Sequence, residues 1–338
     1  MLAPERLRSN ETGISPVERL QALVAEDMRA TDALIHDRLG SAASLIPDLA
    51  RHLIDSGGKR LRPLLTLAAA RMGGYAGDGH VKLAAAVEFI HTATLLHDDV
   101  VDESALRRGK VSANIVWGNK PSVLVGDFLF SRAFQLMVES GDPAVLAILA
   151  DASAVIAEGE VMQLKSANNL ATTEEHYLCV IRAKTAALFA AAAEAGAVLA
   201  RSAGDYASAM RAYGENLGIA FQLVDDALDY SGRQALMGKS VGDDFREGKV
   251  TLPVILAFAH AEGEARKFWQ RAIESGPQCE RDLDLAITQV EETGAITETM
   301  TRARAYADLA CAALDAVEPC ETRDVLAAVA DFCVERAY

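Results

Sequence analysis

The sequence predicts an all-helical protein, and three observations predict it. Long runs at 83–87, 186–193 and 326–330 are rich in alanine and leucine, which favour helix. No strand-length window alternates apolar and polar residues between turn residues. Apolar residues make up 51% of the 338 residues, whereas aromatic residues make up only 6%. A chain of this length forms one large domain or two smaller ones, and we expect it to be all-α.

Charge and cysteine content exclude several classes of protein. The net charge of −15 opposes binding to nucleic acid, whose phosphate backbone needs a basic surface. The five cysteines are scattered without a Cys-x-x-Cys pair, which excludes a disulfide framework and a zinc site and fits a reducing cytosol. The N-terminus, with Pro4 and Glu5, lacks the apolar core of a signal peptide. The apolar segment 185–200 contains Glu194 and is short for a bilayer span. We expect a soluble, cytoplasmic protein.

Helix boundaries can be followed along the chain. Residues 1–15 are expected to form a loose arm, after which Ser15-Pro16-Val17-Glu18 has the N-cap, N1 and N3 residues of a helix start. An apolar stripe at Leu45, Leu49 and Leu53 indicates a second helix. Later boundaries are predicted at Pro63, Gly73-Gly74, Pro121, Asp142-Pro143, Thr172–Glu175 and Thr251-Leu252-Pro253, and the remainder to residue 338 is amphipathic helix.

The segment Gly57-Gly-Lys-Arg-Leu-Arg-Pro63 has the composition of an anion site. Its two glycines permit a tight turn, and Lys59, Arg60 and Arg62 follow immediately before a helix begins. A helix N-terminus with basic side chains attracts anions. A basic helix cap in solvent is the alternative. The spacing of a Walker loop is absent.

An apolar helix over 81–102 ends in Asp98, Asp99 and Asp102. Asp98 and Asp102 are four residues apart and therefore share one helix face. Like charges at this spacing repel each other, and a hard cation such as Mg²⁺ between them would remove the repulsion. A solvated acidic helix end is the alternative for this cluster alone.

A second cluster repeats this spacing. Asp225, Asp226 and Asp229 end the apolar segment 213–230, and a loop with Lys239 and Lys249 follows. Arg107, Arg108 and Lys110 likewise follow the first cluster. Two such clusters, each followed by cations, are not explained by solvation. They predict a site that holds anionic substrates through metal ions.

Together these motifs resemble the trans-isoprenyl diphosphate synthases, along nearly the whole chain. The resemblance is greatest to the long-chain members that make octaprenyl, solanesyl or decaprenyl diphosphate for quinone side chains. The matching residues are Gly57–Pro63, His91, Asp98–Asp102, Arg107-Arg108, Lys184-Thr185, Phe221-Gln222, Asp225–Asp229, Lys239 and Lys249. The family fold implies one domain over 16–338, a bundle of long helices around a central cavity, and a homodimer.

The resemblance also implies a role for each matching residue. The diphosphate of isopentenyl diphosphate would be bound by Lys59, Arg62, His91 and Arg108. The allylic diphosphate would be gripped by Arg107, Lys184, Lys239 and Lys249. Mg²⁺, with Mn²⁺ as a substitute, would be held by Asp98, Asp102 and Asp225, with Asp99, Asp226 and Asp229 as direct or indirect ligands. Thr185 and Gln222 would face the reacting carbon. Glu158, Glu160 and Gln163 receive no role.

Product length is predicted from the helix that carries the first cluster. One helical turn rises about 5.4 Å, close to one isoprene unit, and the residues one turn before Asp98 are the small Ala93 and Thr94. Because short-chain relatives have a bulky aromatic residue there, we expect an open tunnel that passes Ile90. Phe134 and Met137 are candidates for its floor, with ordinary core packing as the alternative.

Two other functions remain open at this point. A class I terpene cyclase also uses an Asp-rich helix with Mg²⁺, but it binds one diphosphate and does not need the Gly57–Pro63 segment or Arg108. A non-catalytic subunit of a heteromeric synthase is expected to lack one or both aspartate clusters, and both are present here. A transient membrane contact for release of the lipophilic product is also expected.

Overall fold

A computed structural model describes residues 13–107, 109–201, 204–231, 242–276, 278–279 and 281–335. The predicted all-α class is confirmed, because 79% of the described residues are helical. The one departure in the described residues is a short antiparallel pair, β1 Leu106–Arg107 with β2 Lys110–Val111, where the sequence predicted a loop.

Helices of the first half lead to the first aspartate cluster and past it. They are α1 Pro16–Leu23, α2 Ala25–Arg38, α3 Leu45–Ile54, α4 Leu61–Met72, α5 Gly79–Val101, α6 Ala113–Trp117 and α7 Asn119–Glu139. The predicted start at Ser15 is confirmed: Ser15 Oγ accepts from the Glu18 N–H, and Glu18 accepts from the Ser15 N–H. Helix α7 continues through Gly126, where a Cβ would lie 2.2 Å from His97 Nε2.

Helices of the second half contain the central helix and the second cluster. They are α8 Pro143–Ser166, α9 Glu174–Ile181, α10 Ala187–Ala200, α11 Tyr206–Asp229, α12 Asp243–Arg246, α13 Leu252–His260, α14 Gly263–Trp269, α15 Asp282–Glu292, α16 Ala295–Ala313 and α17 Glu321–Glu335. Short π-helical turns cover Arg182–Ala186 and Gln270–Ser275, and a 3₁₀ turn covers Leu314–Ala316. The capping start near Thr172 is confirmed, with Thr173 accepting from the His176 N–H.

Helix α10 is central because its small residues let neighbouring helices approach closely. It packs against α4, α5, α8 and α11. A Cβ on Gly196 would lie 2.3 Å from the Thr66 carbonyl oxygen, and a Cβ on Gly214 of α11 would lie 2.4 Å from the Phe189 carbonyl oxygen of α10. The continuous stretch Glu174–Ala200 is long and apolar enough to span a membrane, but 72% of its apolar window is buried inside the fold, as in a core helix.

The buried apolar residues form three clusters that share helices. Helix α10 contributes Leu188 to one cluster and Phe189 to another, and α11 contributes Leu223 and Leu217 to two of them. The carboxyl ends of α5 and α11 meet at one cavity of about 660 Å³ beside these clusters. The single domain over 16–338 stays a prediction.

Candidate active site

The three aspartates at the end of α5 differ in their surroundings. Asp98 and Asp102 line the cavity. Asp99 is fully buried, and its Oδ1 accepts from Arg107 Nε at 2.8 Å and lies 2.6 Å from Arg107 Nη2. Burial raises the pKa of Asp99, and the Arg107 charge opposes this rise. Asp99 therefore fixes Arg107 at the cavity wall.

Facing them, the aspartates at the end of α11 all line the same cavity. Asp226 is buried and accepts from Tyr177 Oη at 2.5 Å and from Gln222 Nε2 at 2.6 Å. Burial raises the pKa of Asp226 to about 7, although both hydrogen bonds lower it. Asp229 accepts from the backbone N–H groups of Asp243 and Asp244 at 3.3 and 3.1 Å, so it anchors the start of α12. Both oxygens of Asp226 have protein donors, which fits an indirect role.

The residues predicted to face the reacting carbon are adjacent. Thr185 lies in the π-helical turn before α10, and its hydroxyl donates to Gln222 Oε1 at 2.9 Å. Gln222 in turn donates to Asp226. This chain of hydrogen bonds links the π-helical turn to α11 and fixes the orientation of the Gln222 amide.

Two of the lysines that line the cavity, Lys184 and Lys249, are held by carboxylates. Lys184 Nζ lies 2.6 Å from Glu160 Oε2 and 2.6 Å from Gln163 Oε1, whereas Asp98 Oδ2 is 3.5 Å away. Lys249 Nζ lies 2.7 Å from Asp102 Oδ2 and 2.6 Å from Glu247 Oε2. Nearby carboxylates raise the pKa of Lys249 against the effect of its burial, so its ammonium group stays charged at the cavity wall.

A separate basic group lies at the start of α4. Gly57 and Gly58 have positive φ angles of 87° and 147°, as the sequence predicted for a tight turn. Arg62 Nη1 is 3.2 Å from His91 Nε2, and its guanidinium lies 4.2 Å from the centre of the Phe189 ring. Lys59 Nζ lies 5.3 Å from the centre of the Phe332 ring. Lys59, Arg62 and His91 all line the cavity, so the structure brings both predicted anion groups to one space.

Two of the predicted site residues, Arg108 and Lys239, lie outside the described residues. Sequence reasoning missed the roles of several others. Glu160, Gln163, Tyr177, Asp243, Asp244 and Glu247 line the cavity, whereas Glu158 is exposed and does not. The spacing of Glu160 and Gln163 on one face of an apolar helix was the available signal. Their partner on another helix could not be predicted from it.

The residues predicted to set product length differ in position: some are buried in the core, one lines the cavity and one is largely exposed. Thr94 lines the cavity, but Ala93, Ile90, Phe134 and Met137 do not. Ala93, Ile90 and Met137 lie in the buried core, so the face of α5 that carries Ala93 and Ile90 is packed and does not line the cavity. Phe134 is 42% exposed on the single chain, whereas Met137 is 1% exposed. The single chain therefore gives no support to Phe134 as a floor, and the packing of Met137 is that of a core residue. The roles in product length stay predictions.

The carboxylates fit a hard cation that arrives with its substrate. Asp98, Asp102 and Asp225 supply oxygen ligands at one cavity. Among the described residues, no three His, Cys, Asp or Glu side chains lie close enough to hold a metal ion by themselves. Mg²⁺ is usually bound by one or two carboxylates together with substrate phosphates and water. The donor set is therefore suited to an ion completed by a bound diphosphate.

Gly159 on α8 lets the π-helical turn approach, and its substitution should disturb Lys184. A Cβ at Gly159 would lie 2.7 Å from Lys184 N and 2.9 Å from Ala183 Cβ. We expect Gly159→Ala to displace Lys184 and lower kcat by roughly 10²-fold, as a misplacement of about 1 Å can. Gly40→Ala is the control, because its Cβ would meet only the Asp37 carbonyl oxygen at 3.4 Å. An unchanged kcat in folded Gly159→Ala would contradict the prediction.

Metal-free protein should become more stable as pH falls from about 8 to 5. Burial raises the pKa of Glu160 and Asp226 to about 7, and that of Asp229 to about 6. Above pH 4 these carboxyls hold protons in the folded chain that the unfolded chain has already lost, so stability falls as pH rises through 6 to 7. Thermal melting across this range measures the effect. The pH slope should be smaller in Asp226→Asn, and a melting temperature that rises with pH in metal-free protein would refute the prediction.

Taken together, an all-helical fold and two facing aspartate clusters with basic groups around one cavity define a helical isoprenoid synthase. The sequence model of the polyprenyl synthetase family matches residues 43–290, and the chain belongs to this family. It is therefore a transferase enzyme.

Known proteins of this family are similar to the chain over nearly its full length. Octaprenyl diphosphate synthase of Escherichia coli is 45% identical over 320 residues, which cover 95% of this chain and 99% of that protein. A polyprenyl synthase of Caulobacter crescentus, solved with calcium and isoprenyl diphosphate, has a TM-score of 0.93 at 54% identity and covers 95% of this chain and 98% of its own. A decaprenyl diphosphate synthase of Rhodobacter capsulatus has a TM-score of 0.91 at 55% identity, with coverage of 96% and 100%. These similarities do not favour the two alternative functions, a terpene cyclase and a non-catalytic subunit of a heteromeric synthase.

Proposed function

We propose that the enzyme condenses isopentenyl diphosphate head-to-tail onto an allylic diphosphate, such as farnesyl diphosphate, and makes a long-chain all-trans polyprenyl diphosphate for quinone side chains. One observation supports this most: two aspartate clusters and two separate basic groups line one cavity. An enzyme that binds one diphosphate needs only one of the two basic groups, whereas a condensation brings two diphosphates together. The similarity to octaprenyl and decaprenyl diphosphate synthases supports the long product.

The allylic diphosphate belongs at the end of α5 and α11. Asp98, Asp102 and Asp225 would hold Mg²⁺, or Mn²⁺ in its place, and Arg107, Lys184 and Lys249 would bind the diphosphate directly, with Lys239 as a further ligand. Mg²⁺ held by these carboxylates would neutralise the charge that develops on the leaving pyrophosphate. Arg107 is suited to this because Asp99 fixes its guanidinium with hydrogen bonds, so little reorganisation is needed as charge develops.

Isopentenyl diphosphate belongs at the start of α4, where Lys59, Arg62 and His91 would bind it together with Arg108. The Arg62 guanidinium stacks over Phe189, so its orientation is fixed before substrate arrives. Separate cationic groups hold two diphosphates that would otherwise repel each other.

Condensation then requires a dry site. Loss of pyrophosphate leaves an allylic carbocation, which the isopentenyl double bond attacks before a proton is lost. Leu95 of α5 and Phe189 of α10 line the cavity and would exclude the water that traps the cation. The Thr185 and Gln222 oxygens would face the cation. The described residues show no strong base at this point, and the released pyrophosphate would take the proton.

Mass spectrometry of the products tests this proposal. Purified chain should convert farnesyl diphosphate, isopentenyl diphosphate and Mg²⁺ into polyprenyl diphosphates with eight to ten isoprene units, as in the similar synthases. Consumption of the allylic substrate without isopentenyl diphosphate would identify a cyclase. Inactivity of the purified chain alone would instead point to a heteromeric subunit.

The assembly and location are part of the same proposal. The exposed apolar residues Leu124 and Val138 of α7 and Val161 and Leu164 of α8 would be covered in a homodimer. Light scattering of the purified protein measures its mass. The enzyme would be cytoplasmic and would touch the membrane briefly to release its product.

A further inference from the structure

Helix α8 supplies two side chains that the scheme above does not use. Glu160 and Gln163 lie on one face of α8, and each has an oxygen 2.6 Å from Lys184 Nζ. No other described contact of Lys184 is as short, since the ammonium lies 3.5 Å from Asp98 Oδ2. The Lys184 side chain is 19% exposed, so water competes little with these partners.

Lys184 is also fixed at its backbone. It lies in the π-helical turn Arg182–Ala186, where the Ala187 N–H donates to the Arg182 carbonyl oxygen. The backbone nitrogen of Lys184 faces Gly159, the residue directly before Glu160. One turn of α8 therefore contacts both ends of this lysine.

Lys184 and Asp98 form an ion pair at 3.5 Å, longer than the contacts of Lys184 with Glu160 and Gln163. We propose that Glu160 and Gln163 are positioning residues that keep this ion pair long, so that a metal ion can compete with Lys184 for the Asp98 carboxylate. This inference rests on the proposed function, which makes Asp98 a metal ligand and Lys184 a ligand of the allylic diphosphate. Glu160 balances the charge of Lys184, and the neutral Gln163 orients it without adding a second negative charge.

The alternative arrangement is close by. Lysine has a flexible four-carbon chain and a compact charge, and a carboxylate 3.5 Å away is within reach of a small rotation. Without Glu160, Asp98 is the nearest carboxylate, and its ion pair with Lys184 would shorten from 3.5 Å to hydrogen-bond distance. Lys249 already shows such a pair, because its ammonium lies 2.7 Å from Asp102 Oδ2. A shortened ion pair at Asp98 would be harder for a metal ion to displace than the pair at 3.5 Å.

Binding of Mn²⁺ in the presence of inorganic pyrophosphate, followed by the electron paramagnetic resonance of free Mn²⁺, tests the proposal without turnover. We expect Glu160→Gln to raise the Mn²⁺ dissociation constant about tenfold. Glu158→Gln is the matched control, since Glu158 is exposed on the same helix and should leave binding unchanged. Glu160→Asp keeps the charge and should restore most of the affinity. Equal affinities of Glu160→Gln and the native protein would overturn the proposal.

A double-mutant cycle separates positioning from a direct charge effect. In a Lys184→Met background, Glu160→Gln should change Mn²⁺ affinity less than twofold, because there is no ammonium left to hold. A tenfold effect in both backgrounds would mean that Glu160 acts directly on the metal, which overturns the proposal. Gln163→Leu provides a second route if Glu160→Gln does not fold, and we expect a smaller loss of affinity in the same direction. A failure of the native chain to condense the two diphosphates would refute the proposed function independently of these measurements.

Discussion

Replacing Asp98 or Asp225 with asparagine should lower kcat/KM for condensation by on the order of 10³-fold, because each change removes an anionic oxygen ligand from the site of charge development. Both side chains line the cavity from facing helices, so each is expected to matter on its own. Steady-state assays with farnesyl and isopentenyl diphosphates at saturating Mg²⁺ measure the loss.

Asp284→Asn is the matched control for these variants. Asp284 is exposed on α15 and does not line the cavity, so the same chemical change there should leave kcat/KM unchanged. The double variant Asp98→Asn with Asp225→Asn should lose less than the product of the two single effects, because both carboxylates serve the same ions. A loss under tenfold in both single variants would be incompatible with the proposed site.

Product length should shorten strongly in Ala93→Phe. Ala93 is fully buried on α5, one residue before Thr94, which lines the cavity. The core around Ala93 is closed, so a phenyl ring either displaces α7 or turns towards the cavity and blocks growth. We expect the main product to fall to the length of a short-chain synthase, measured by mass spectrometry of the hydrolysed alcohols.

Ala86→Phe provides a graded comparison for this result. Ala86 is also fully buried on α5, seven residues earlier, which is about 10 Å deeper along the helix. Its product should be about two isoprene units longer than that of Ala93→Phe. Native product lengths from both folded variants would show that growth does not follow α5. Melting temperatures of the variants separate a blocked tunnel from general unfolding.

The features that could be predicted from sequence are those that depend on the spacing of residues close together in the chain. The Ser15–Glu18 capping box, the aspartate pairs four residues apart and the glycine turn before Arg62 each depend on neighbours within one turn. The structure confirms these local features. The meeting of the two clusters at one cavity followed from the family resemblance.

Other features depend on contacts between distant segments and could not be predicted. Glu160 and Lys184 are 24 residues apart, and the sequence around either residue does not indicate that their side chains are in contact. The stripe of Phe134 and Met137 was predicted as one face, yet one side chain is exposed and the other buried, because a helical stripe spans more than the part that packs against the core. The β1–β2 pair could not be predicted, because two-residue strands leave no alternating pattern.

The π-helical turn at Arg182–Ala186 limits how this chain can be altered by insertion and deletion. Removing one residue there would restore a regular α-helix and rotate α9 by about 100° relative to α10. Tyr177 on α9 and Thr185 in the turn reach opposite ends of one hydrogen-bonded chain, through Asp226 and Gln222. A rotation of that size would disconnect one end. The number of residues between Tyr177 and Thr185 therefore matters as much as their identity.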